Sequence, residues 1–397
     1  MDFELSDEEQ AFQAAVRKFG DKVLRTHERQ IDREGRIPDD VLTEMANLGL
    51  LAMPVPAEYG GMGAGAVLTE LAAEEIGRGD FSMATAVFFL LEAGWGHILS
   101  RHGTEEAKRA VLPDACAGRA FLGVATTEPT GGSDLAAMRT RSRKDGDSYL
   151  VKGEKSFVSG VEEAKRLGGG HLTLTKASDL DGFNLLYVPT RTPGITTQKF
   201  ENMGRMGIST GALSYDEARV PGSYLLGEPG RGFHYAMEGF TVARTFVSAA
   251  CIGAAERALE TGMAYIRERS AFGQPLGKFE GIQFELVDLW TQVEAVKWQC
   301  RRAAWLLDRY TLKGDHSHRS EVDKAVASVK LTAPPIAFET VKRVMMWFGA
   351  AGYTKDVGLE LGLRGVMSYM VGAEGGLNIM RIILGRELLG KEFLPYK

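Results

Sequence analysis

Length, composition and charge narrow the possible functions before any motif is considered. The chain has 397 residues, of which 44% are hydrophobic and 25% are charged, and its formal net charge is -5. This balance predicts two or three domains with large buried cores, and it offers no overall attraction for nucleic acid or for an anionic membrane surface. Partners of those two classes are therefore not expected.

The cysteines indicate a reducing environment. Cys116, Cys251 and Cys300 are an odd number without close spacing, so they predict neither a disulfide framework nor a zinc site, and no metal site is expected. The acidic start, MDFELSDEEQ, does not have the composition of a signal or transit peptide. No apolar run reaches the roughly 18 residues that a membrane helix needs. We therefore expect a cytoplasmic protein without membrane insertion.

The N-terminal part of the chain has helical periodicity. Ser6 followed by Glu9 has the pattern of a capping box, and the apolar residues after it recur at helical spacing. A second helix is predicted over residues 38–51, which begin with a proline and two aspartates. Further helices are predicted at 67–77, 83–102 and 105–112.

One glycine-rich segment in this part formally matches a dinucleotide-binding fingerprint. Gly61, Gly63 and Ala66 have the spacing G-x-G-x-x-A and precede a predicted helix. The fingerprint requires a buried strand before it, whereas Pro54 and Pro56 occupy that place and cannot join such a strand. A Rossmann turn is therefore not expected here.

The composition changes at Phe121. From there to Gly232, short β-branched or alternating runs are separated by glycine and proline, which predicts an antiparallel β domain, a sandwich or a barrel. Helical periodicity then returns in segments of the length found in helical bundles, near 233–269, 279–313, 318–346, 357–370 and 377–390. The predicted fold class is α+β, with an N-terminal helical domain (1–120), a middle antiparallel β domain (121–232) and a C-terminal four-helix bundle (233–397).

One carboxylate near the C-terminus is a candidate for chemistry. Glu374 lies among Gly372, Ala373, Gly375 and Gly376, just before a predicted helix. The glycines let a flat ligand approach the backbone. The helix dipole favours the ionised side chain, while apolar surroundings oppose it. Such a carboxylate could take a proton, but its local pattern also fits an acidic residue that only complements the dipole.

Two hydroxyl-rich stretches lie in the predicted β domain. Residues 126–134 read TTEPTGGSD, a turn whose backbone N–H groups and hydroxyls can form an anion nest or bond the edge of a heteroaromatic ring. Residues 155–160, KSFVSG, place Phe157 and Ser159 on one face of a strand. Each pattern alone is also common in turns and strands that bind nothing.

Five motifs in one order connect these segments. The chain resembles the acyl-CoA dehydrogenase family over nearly its full length, with family signatures matched at 58–61 (EYGG), 127–134 (TEPTGGSD), 220–232 (VPGSYLLGEPGRG), 267–275 (RERSAFGQP) and 374–381 (EGGLNIMR). The resemblance implies the same three domains, FAD held between the β domain and the bundle, and an acyl-CoA thioester on the other side of the flavin.

The resemblance also implies which residues hold FAD. Thr126, Thr127 and Ser133 would contact the flavin and its pyrophosphate. Phe157 would lie against the isoalloxazine, in place of the tryptophan usual in the family, and Ser159 would place its hydroxyl near flavin N5. The neighbouring subunit of a homo-oligomer, a tetramer or a dimer, would contribute further contacts from Arg269, Phe272, Gln283 and Gly349.

By the same resemblance, Glu374 is the catalytic base. It would take the α-proton while flavin N5 takes the β-hydride, because a glutamate freed from water is more basic and is long enough to reach the α-carbon. Some family members carry the base at a second position, which is Ala243 here, so Glu374 remains. The implied substrate contacts are Arg244, Ser133, Gly375 and Glu92.

Several positions depart from the family pattern. Met346 and Ala350 replace a glutamine and a glycine that touch FAD, Glu280 replaces another glutamine, and Gly376 replaces a threonine. Glu92 interrupts an apolar helix that lines the acyl pocket in the family. This predicts a second acid in that pocket, although a paired or surface glutamate fits the pattern as well.

The predicted function is FAD-dependent α,β-dehydrogenation of an acyl-CoA, with electrons passed to an electron-transfer flavoprotein. Two alternatives stay open. One is a flavin-dependent oxidase or monooxygenase on the same fold, and the other is a flavin-free, non-catalytic member, which the altered FAD contacts favour. The length or ring character of the acyl group depends on side-chain directions that the sequence does not give.

Overall fold

The structure, a computed structural model, describes residues 4–395. Helices occupy the chain up to Cys116, strands dominate between Phe121 and Pro221, and helices follow from Gly232. This order confirms the predicted fold class. In the described chain, no helix is both long and apolar enough to cross a membrane.

The N-terminal helices begin and end where local signals place them. The Ser6 hydroxyl accepts from the Glu9 N–H, and the Glu9 side chain accepts from the Ser6 N–H, so the predicted capping box is present. The helix predicted over 38–51 ends early, at Asn47, because Gly49 takes a left-handed φ of 69°. The helices are α1 (Asp7–Phe19), α2 (Arg25–Glu34), α3 (Asp39–Asn47), α4 (Ala66–Gly79), α5 (Ala84–His102) and α6 (Glu105–Cys116), with a π-helical turn (Gly20–Leu24) joining α1 to α2.

The segment that matched the dinucleotide fingerprint contains no strand. A short 3-10 turn, Ala57–Tyr59, stands directly before the glycines. The two prolines therefore act as expected, and the Rossmann turn is excluded at this place.

The middle domain is built on one seven-stranded sheet. Its strands are β1 (Phe121–Ala125), β2 (Arg141–Asp145), β3 (Ser148–Ser159), β4 (Gly169–Ala177), β5 (Phe183–Pro189), β6 (Ile195–Lys199) and β7 (Thr210–Pro221), and helix α7 (Val161–Leu167) follows β3. The order is β1-β4-β2-β3-β7-β6, with β5 paired to β4. The sheet is mixed rather than wholly antiparallel, because β4 runs parallel to both β1 and β2. Between β1 and β4, the chain runs through the β2–β3 hairpin and α7. This connection is long enough for β4 to lie parallel to β1.

Irregular pairing between β3 and β7 shapes the site. The register shifts between Lys155 and Val158, which leaves Ser156 and Phe157 outside the ladder. Phe157 takes a left-handed φ of 56°. A bulge of this kind turns a side chain away from the regular face of a strand.

The C-terminal helices confirm the predicted bundle. They are α8 (Gly232–Glu268), α9 (Glu280–Arg309), α10 (Arg319–Trp347), α11 (Leu359–Val371) and α12 (Leu377–Leu389), and a small hairpin of β8 (Ser270–Ala271) and β9 (Gln274–Pro275) follows α8. Helix α10 packs against α8, α9, α11 and α12.

The N-terminal helices and the bundle share one hydrophobic core, and the sheet has a smaller core of its own. Helices α4 and α8 approach until their backbones touch. A Cβ at Gly77 would lie 2.1 Å from the Ala250 carbonyl oxygen, and one at Gly253 would lie 1.8 Å from that of Glu74. Only glycine permits this contact. The boundaries set at residues 121 and 233 stay predictions.

Candidate active site

A large cleft lies where the sheet meets the helices. Its volume is about 1100 Å³. The walls come from α5, α8 and α11, from the ends of β1 and β3, and from the loops at 126–136, 202–205 and 372–376. The hydroxyl-rich turn, the KSFVSG strand and the Glu374 loop are far apart in sequence, and the fold brings all three to this cleft.

Glu374 occupies a constrained position on the cleft wall. It lies in the short loop between α11 and α12 and takes a left-handed φ of 56°, followed by Gly375 at 103°. Its backbone oxygen accepts a hydrogen bond from Nε of Arg244 at 2.9 Å. The residue is only 8% exposed, yet it lines the cleft. The chain thus fixes one nearly dry carboxyl group facing the cavity.

The surroundings of Glu374 tune its proton affinity. Burial raises the pKa of the Glu374 carboxyl to about 7, and the charges of Arg244 and Lys330 keep it from rising further. The buried indole N–H of Trp95 makes no hydrogen bond of normal geometry, but it also favours the charged carboxylate. A group with this pKa can accept and release a proton near neutral pH.

Lys330 was not predicted from the sequence. It is fully buried on α10, donates to the Tyr369 carbonyl oxygen at 2.6 Å, and burial lowers its pKa to about 8. Through this bond it fixes the last turn of α11, immediately before the Glu374 loop. Its neighbours come from distant segments, so no local pattern reveals its role.

The hydroxyl-rich turn is held by a buried ion pair. The Glu128 carboxylate accepts from the backbone N–H groups of Arg139 and Thr140 at 2.7 and 2.8 Å, and from Nζ of Lys155 at 2.9 Å. Lys155 also donates to the Thr126 carbonyl oxygen. Glu128 therefore shapes the turn, and Thr126, Thr127 and Ser133 line the cleft.

Phe157 and Ser159 lie on the same side of the cleft as this turn. Phe157 is 68% exposed and makes an edge-to-face contact with Phe200 at 5.5 Å between ring centroids. The Ser159 hydroxyl accepts from Nη1 of Arg205 at 3.1 Å. Arg205, which the sequence analysis missed, also donates to the Thr210 hydroxyl and lines the cleft. A flat apolar ring and a fixed hydroxyl thus face the cavity together.

The predicted substrate contacts divide into two groups. Arg244, Ser133 and Gly375 line the cleft. Glu92 does not line the cleft, so the prediction that it places a second acid in the acyl pocket is wrong. Its carboxylate is fully buried behind the cleft and accepts from the Leu122 N–H at 2.8 Å, where α5 packs on β1. Burial raises the pKa of this carboxyl well above the ordinary value, and its hydrogen bond joins helix to strand.

The residues predicted to reach a neighbouring subunit lie outside this cleft. Phe272 is 97% exposed, Arg269 and Gly349 are also exposed, and Gln283 donates to the Gly277 carbonyl oxygen at the start of α9. The altered positions Met346, Ala350 and Glu280 are exposed as well. One chain does not bring these residues to the cavity.

Sequence comparisons identify the family domain by domain. The chain matches "Acyl-CoA dehydrogenase, N-terminal domain" over residues 6–119, "Acyl-CoA dehydrogenase, middle domain" over 123–218 and "Acyl-CoA dehydrogenase, C-terminal domain" over 230–389. It is 33% identical over 393 residues to the probable acyl-CoA dehydrogenase YngJ of Bacillus subtilis, covering 98% of this chain and 100% of that protein.

Solved structures agree. Butyryl-CoA dehydrogenase from Megasphaera elsdenii is 26% identical with a TM-score of 0.88, covering 98% of this chain and 100% of that one. A glutaryl-CoA dehydrogenase from Mycobacterium smegmatis in complex with FADH2 is also 26% identical with a TM-score of 0.88, covering 99% and 97%. The shared architecture and these full-length matches show that the chain belongs to the acyl-CoA dehydrogenase family, whose members are oxidoreductases that act on CH–CH bonds.

Proposed function

We propose that this protein is an FAD-dependent acyl-CoA dehydrogenase with Glu374 as its base. The observation that carries the proposal is the buried carboxyl group of Glu374, which has a pKa of about 7 and faces a cleft lined on another side by a hydroxyl-rich turn and an exposed aromatic ring. In the reaction, Glu374 would take the α-proton of the acyl thioester, and FAD, when bound, would supply the acceptor for the β-hydride. The product is a trans-2-enoyl-CoA or its ring equivalent.

The cleft residues fit FAD. The exposed face of Phe157 is an apolar surface that a flat ring would cover, and the Ser159 hydroxyl lies beside it. At the turn, a Cβ added to Gly131 would meet no atom within 4 Å, so the backbone there is open to a phosphate group. A solved relative is described as a complex with FADH2. When bound, FAD would supply the two-electron acceptor.

The residues around Glu374 hold it in place and shield it from water. Arg244 holds the Glu374 backbone in its left-handed conformation, and Lys330 holds the turn before it. Because water is scarce around a carboxyl that is 8% exposed, its ionised form is a stronger base than a solvated glutamate. The apolar wall formed by Leu90, Leu91 and other cleft residues would receive the acyl group.

We further propose a homo-oligomer and an electron-transfer flavoprotein as partners. Arg269, Phe272, Gln283 and Gly349 are outside the cleft, so they can contact FAD only from a second copy of the chain. The oligomer is a tetramer or a dimer. The electron acceptor is proposed from the family resemblance alone, and the cytoplasmic location stays a prediction from the cysteines.

Bleaching of the flavin tests the base. Glu374→Gln keeps the shape of the side chain but removes its basicity, so the variant should retain bound, yellow FAD and show no bleaching with any member of an acyl-CoA panel. Glu392→Gln, an exposed position, is the matched control and should bleach as the parent does. Undiminished bleaching in Glu374→Gln would overturn the assignment.

The two alternatives give different readouts. An oxidase or monooxygenase would reoxidise rapidly in air after photoreduction whether or not product is bound, whereas a dehydrogenase should react slowly, and more slowly still with product. A flavin-free member would contain no flavin at all. A flavin to protein ratio near one in the purified parent would remove that alternative.

A further inference from the structure

A second, smaller cavity lies on the other side of the first turns of α8. It is about 30 Å³ in volume, enough for an ion or a water molecule, and its lining comes from α8, from the connection between α9 and α10, and from the start of α10. Met237 contributes to both this cavity and the cleft. Met237 of α8 therefore lies between the two.

Three potential metal ligands meet at this cavity. His234 and Glu238 are four residues apart, on one face of α8, and His316 comes from the α9–α10 connection. One ligand atom of each lies within 4.8 Å of the other two. A tetrahedral ion with bonds near 2 Å would need separations of about 3.3 Å, so modest side-chain rotation would close the set.

Glu238 gives independent support for a ligand. The residue is only 7% exposed, and its Oε1 atom has no hydrogen-bond partner, although Nε of Arg101 lies 3.3 Å away. Its Oε2 atom is bonded to Nε2 of His102 at 3.0 Å. A buried carboxylate oxygen without a hydrogen bond is uncommon, and one that is already oriented by an outer neighbour is typical of a metal ligand.

The charges around the cavity favour some ions over others. Asp315 and Asp323 also line it, but so does Arg319, and Asp323 is bonded to Arg386 at 3.0 Å. Because arginines offset much of the negative charge, a hard ion such as Mg²⁺ or Ca²⁺, which depends on several oxygen ligands, is disfavoured. Two imidazoles and one carboxylate are instead a typical donor set for Zn²⁺.

We propose that His234, Glu238 and His316 form a binding site for a divalent metal ion of the Zn²⁺ class, completed by water. The occupied site joins the first turns of α8 to the connection before α10. The same turns of α8 carry Phe233, Met237 and Phe240 on the wall of the cleft. Metal binding would therefore stiffen that wall without touching the reacting groups.

Titration of the tag-free holoprotein with ZnCl₂ tests the site. Isothermal titration calorimetry should give one equivalent of bound Zn²⁺ per chain. A thermal unfolding scan should show a higher melting temperature with Zn²⁺ than without it. His234→Gln and His316→Gln should each weaken binding at least about tenfold. His102→Gln, which loses the outer contact to Glu238 and the ring contact to Tyr235, should weaken it about tenfold or less. Co²⁺ in place of Zn²⁺ should give visible d–d absorption beyond the flavin band in the parent, and this absorption should be lost in His234→Gln and His316→Gln.

His318 provides the matched control. It is two residues from His316 but stacks on Tyr310 at 4.1 Å between ring centroids, and it is not part of the cavity lining. His318→Gln should bind Zn²⁺ like the parent. Absence of saturable binding by the parent, or equal loss in His318→Gln and His316→Gln, would overturn the proposal and indicate adventitious surface binding. The flavin spectrum of each variant reports whether it is folded.

Discussion

Glu374 combines two unfavourable features that the surrounding residues offset. A non-glycine residue in the left-handed region is strained by about 1–3 kcal/mol, and a buried carboxyl resists ionisation. The hydrogen bond from Arg244 to the Glu374 carbonyl holds the strained backbone, and its positive charge limits the rise in pKa. The same arginine thus serves both the position and the protonation of the proposed base.

Activity should depend on the ionisation of Glu374. Since the carboxyl has a pKa of about 7, it is protonated and unable to act as a base at lower pH. We expect kcat/KM to fall about tenfold for each pH unit below 7, and to level off above it. Steady-state assays between pH 5 and 9 measure this, with flavin retention checked at each pH. A profile that is flat through pH 6 would contradict the proposed role.

Stability should respond to the same group with a defined sign. In the folded protein, the pKa of the Glu374 carboxyl is raised from 4.5 to about 7. Its contribution to the free energy of unfolding is therefore fully present below pH 4.5 and is lost as pH rises through 7. Glu374→Gln cannot ionise. Its free energy of unfolding relative to the parent should therefore increase by about 2–3 kcal/mol between pH 5 and pH 8. Urea unfolding at both pH values measures the difference, and Glu392→Gln should show none.

At this scale, the sequence identified residues that belong to ordered motifs and missed those defined by distant contacts. Glu374, Thr127 and Ser133 lie in continuous signatures, and each lines the cleft. Arg205 and Lys330 have no such signature, because their importance comes from burial and from partners in other segments. For Glu92, the sequence suggested a role in the site that the structure does not give it. An acid in an apolar helix was visible, but the direction of its side chain was not.

At the level of secondary structure elements, α4 contains the densest group of buried charges. Glu70 and Glu74 are fully buried, and both pair with Arg301 of α9. Burial raises the pKa of Glu70 to about 8. Lys297, one turn earlier on α9, pairs with Glu74 and with Glu256 of α8, and so joins α4 to α8. These contacts position three helices, since each charge left without its partner would be buried alone.

Removing one cation from this group should be strongly destabilising. Arg301→Met leaves the buried Glu70 without its cation, while Glu74 keeps Lys297, which predicts a loss of about 3–5 kcal/mol in the free energy of unfolding. Arg302→Met is the matched control, because its pair with Glu321 is half exposed and should contribute at most about 1 kcal/mol. Urea unfolding of both variants gives the comparison. Equal losses would show that the buried group is not a main support of these helices.

Local periodicity located the elements but not their partners. The predicted helices 233–269 and 279–313 correspond to α8 and α9, because an apolar stripe at helical spacing is a local property. The parallel pairing of β4 with β1 and β2 is not local, so alternation along each strand could not reveal it. The bulge at Phe157 was hidden for the same reason. A one-residue shift against β7 has no signature within β3 itself.

For the whole molecule, the exposed face of α9 points to self-association. Large apolar side chains recur along one side of this helix and are 44–63% exposed in the single chain, namely Phe284, Val287, Trp290, Trp298 and Trp305. A stripe of this size in contact with water usually marks a protein interface. We expect a second copy of the chain to cover it, because Phe272 and Gln283, proposed to contact the neighbouring FAD, lie next to the start of the same helix.

A charge in the middle of this stripe should weaken the assembly. Trp290→Glu buries a carboxylate at the interface and removes an aromatic contact, which predicts a loss of about 2 kcal/mol or more, or roughly thirtyfold in association. Light scattering after size exclusion should show a lower mass, and flavin content should fall with it because FAD loses its contacts from the neighbouring chain. Gln292 is exposed and lies about 160° around the helix from Trp290, so Gln292→Glu should change neither the mass nor the flavin content. If Trp290→Glu keeps the parent's mass, this face is not the interface. If its mass falls but its flavin content does not, the neighbouring chain is not needed to hold FAD.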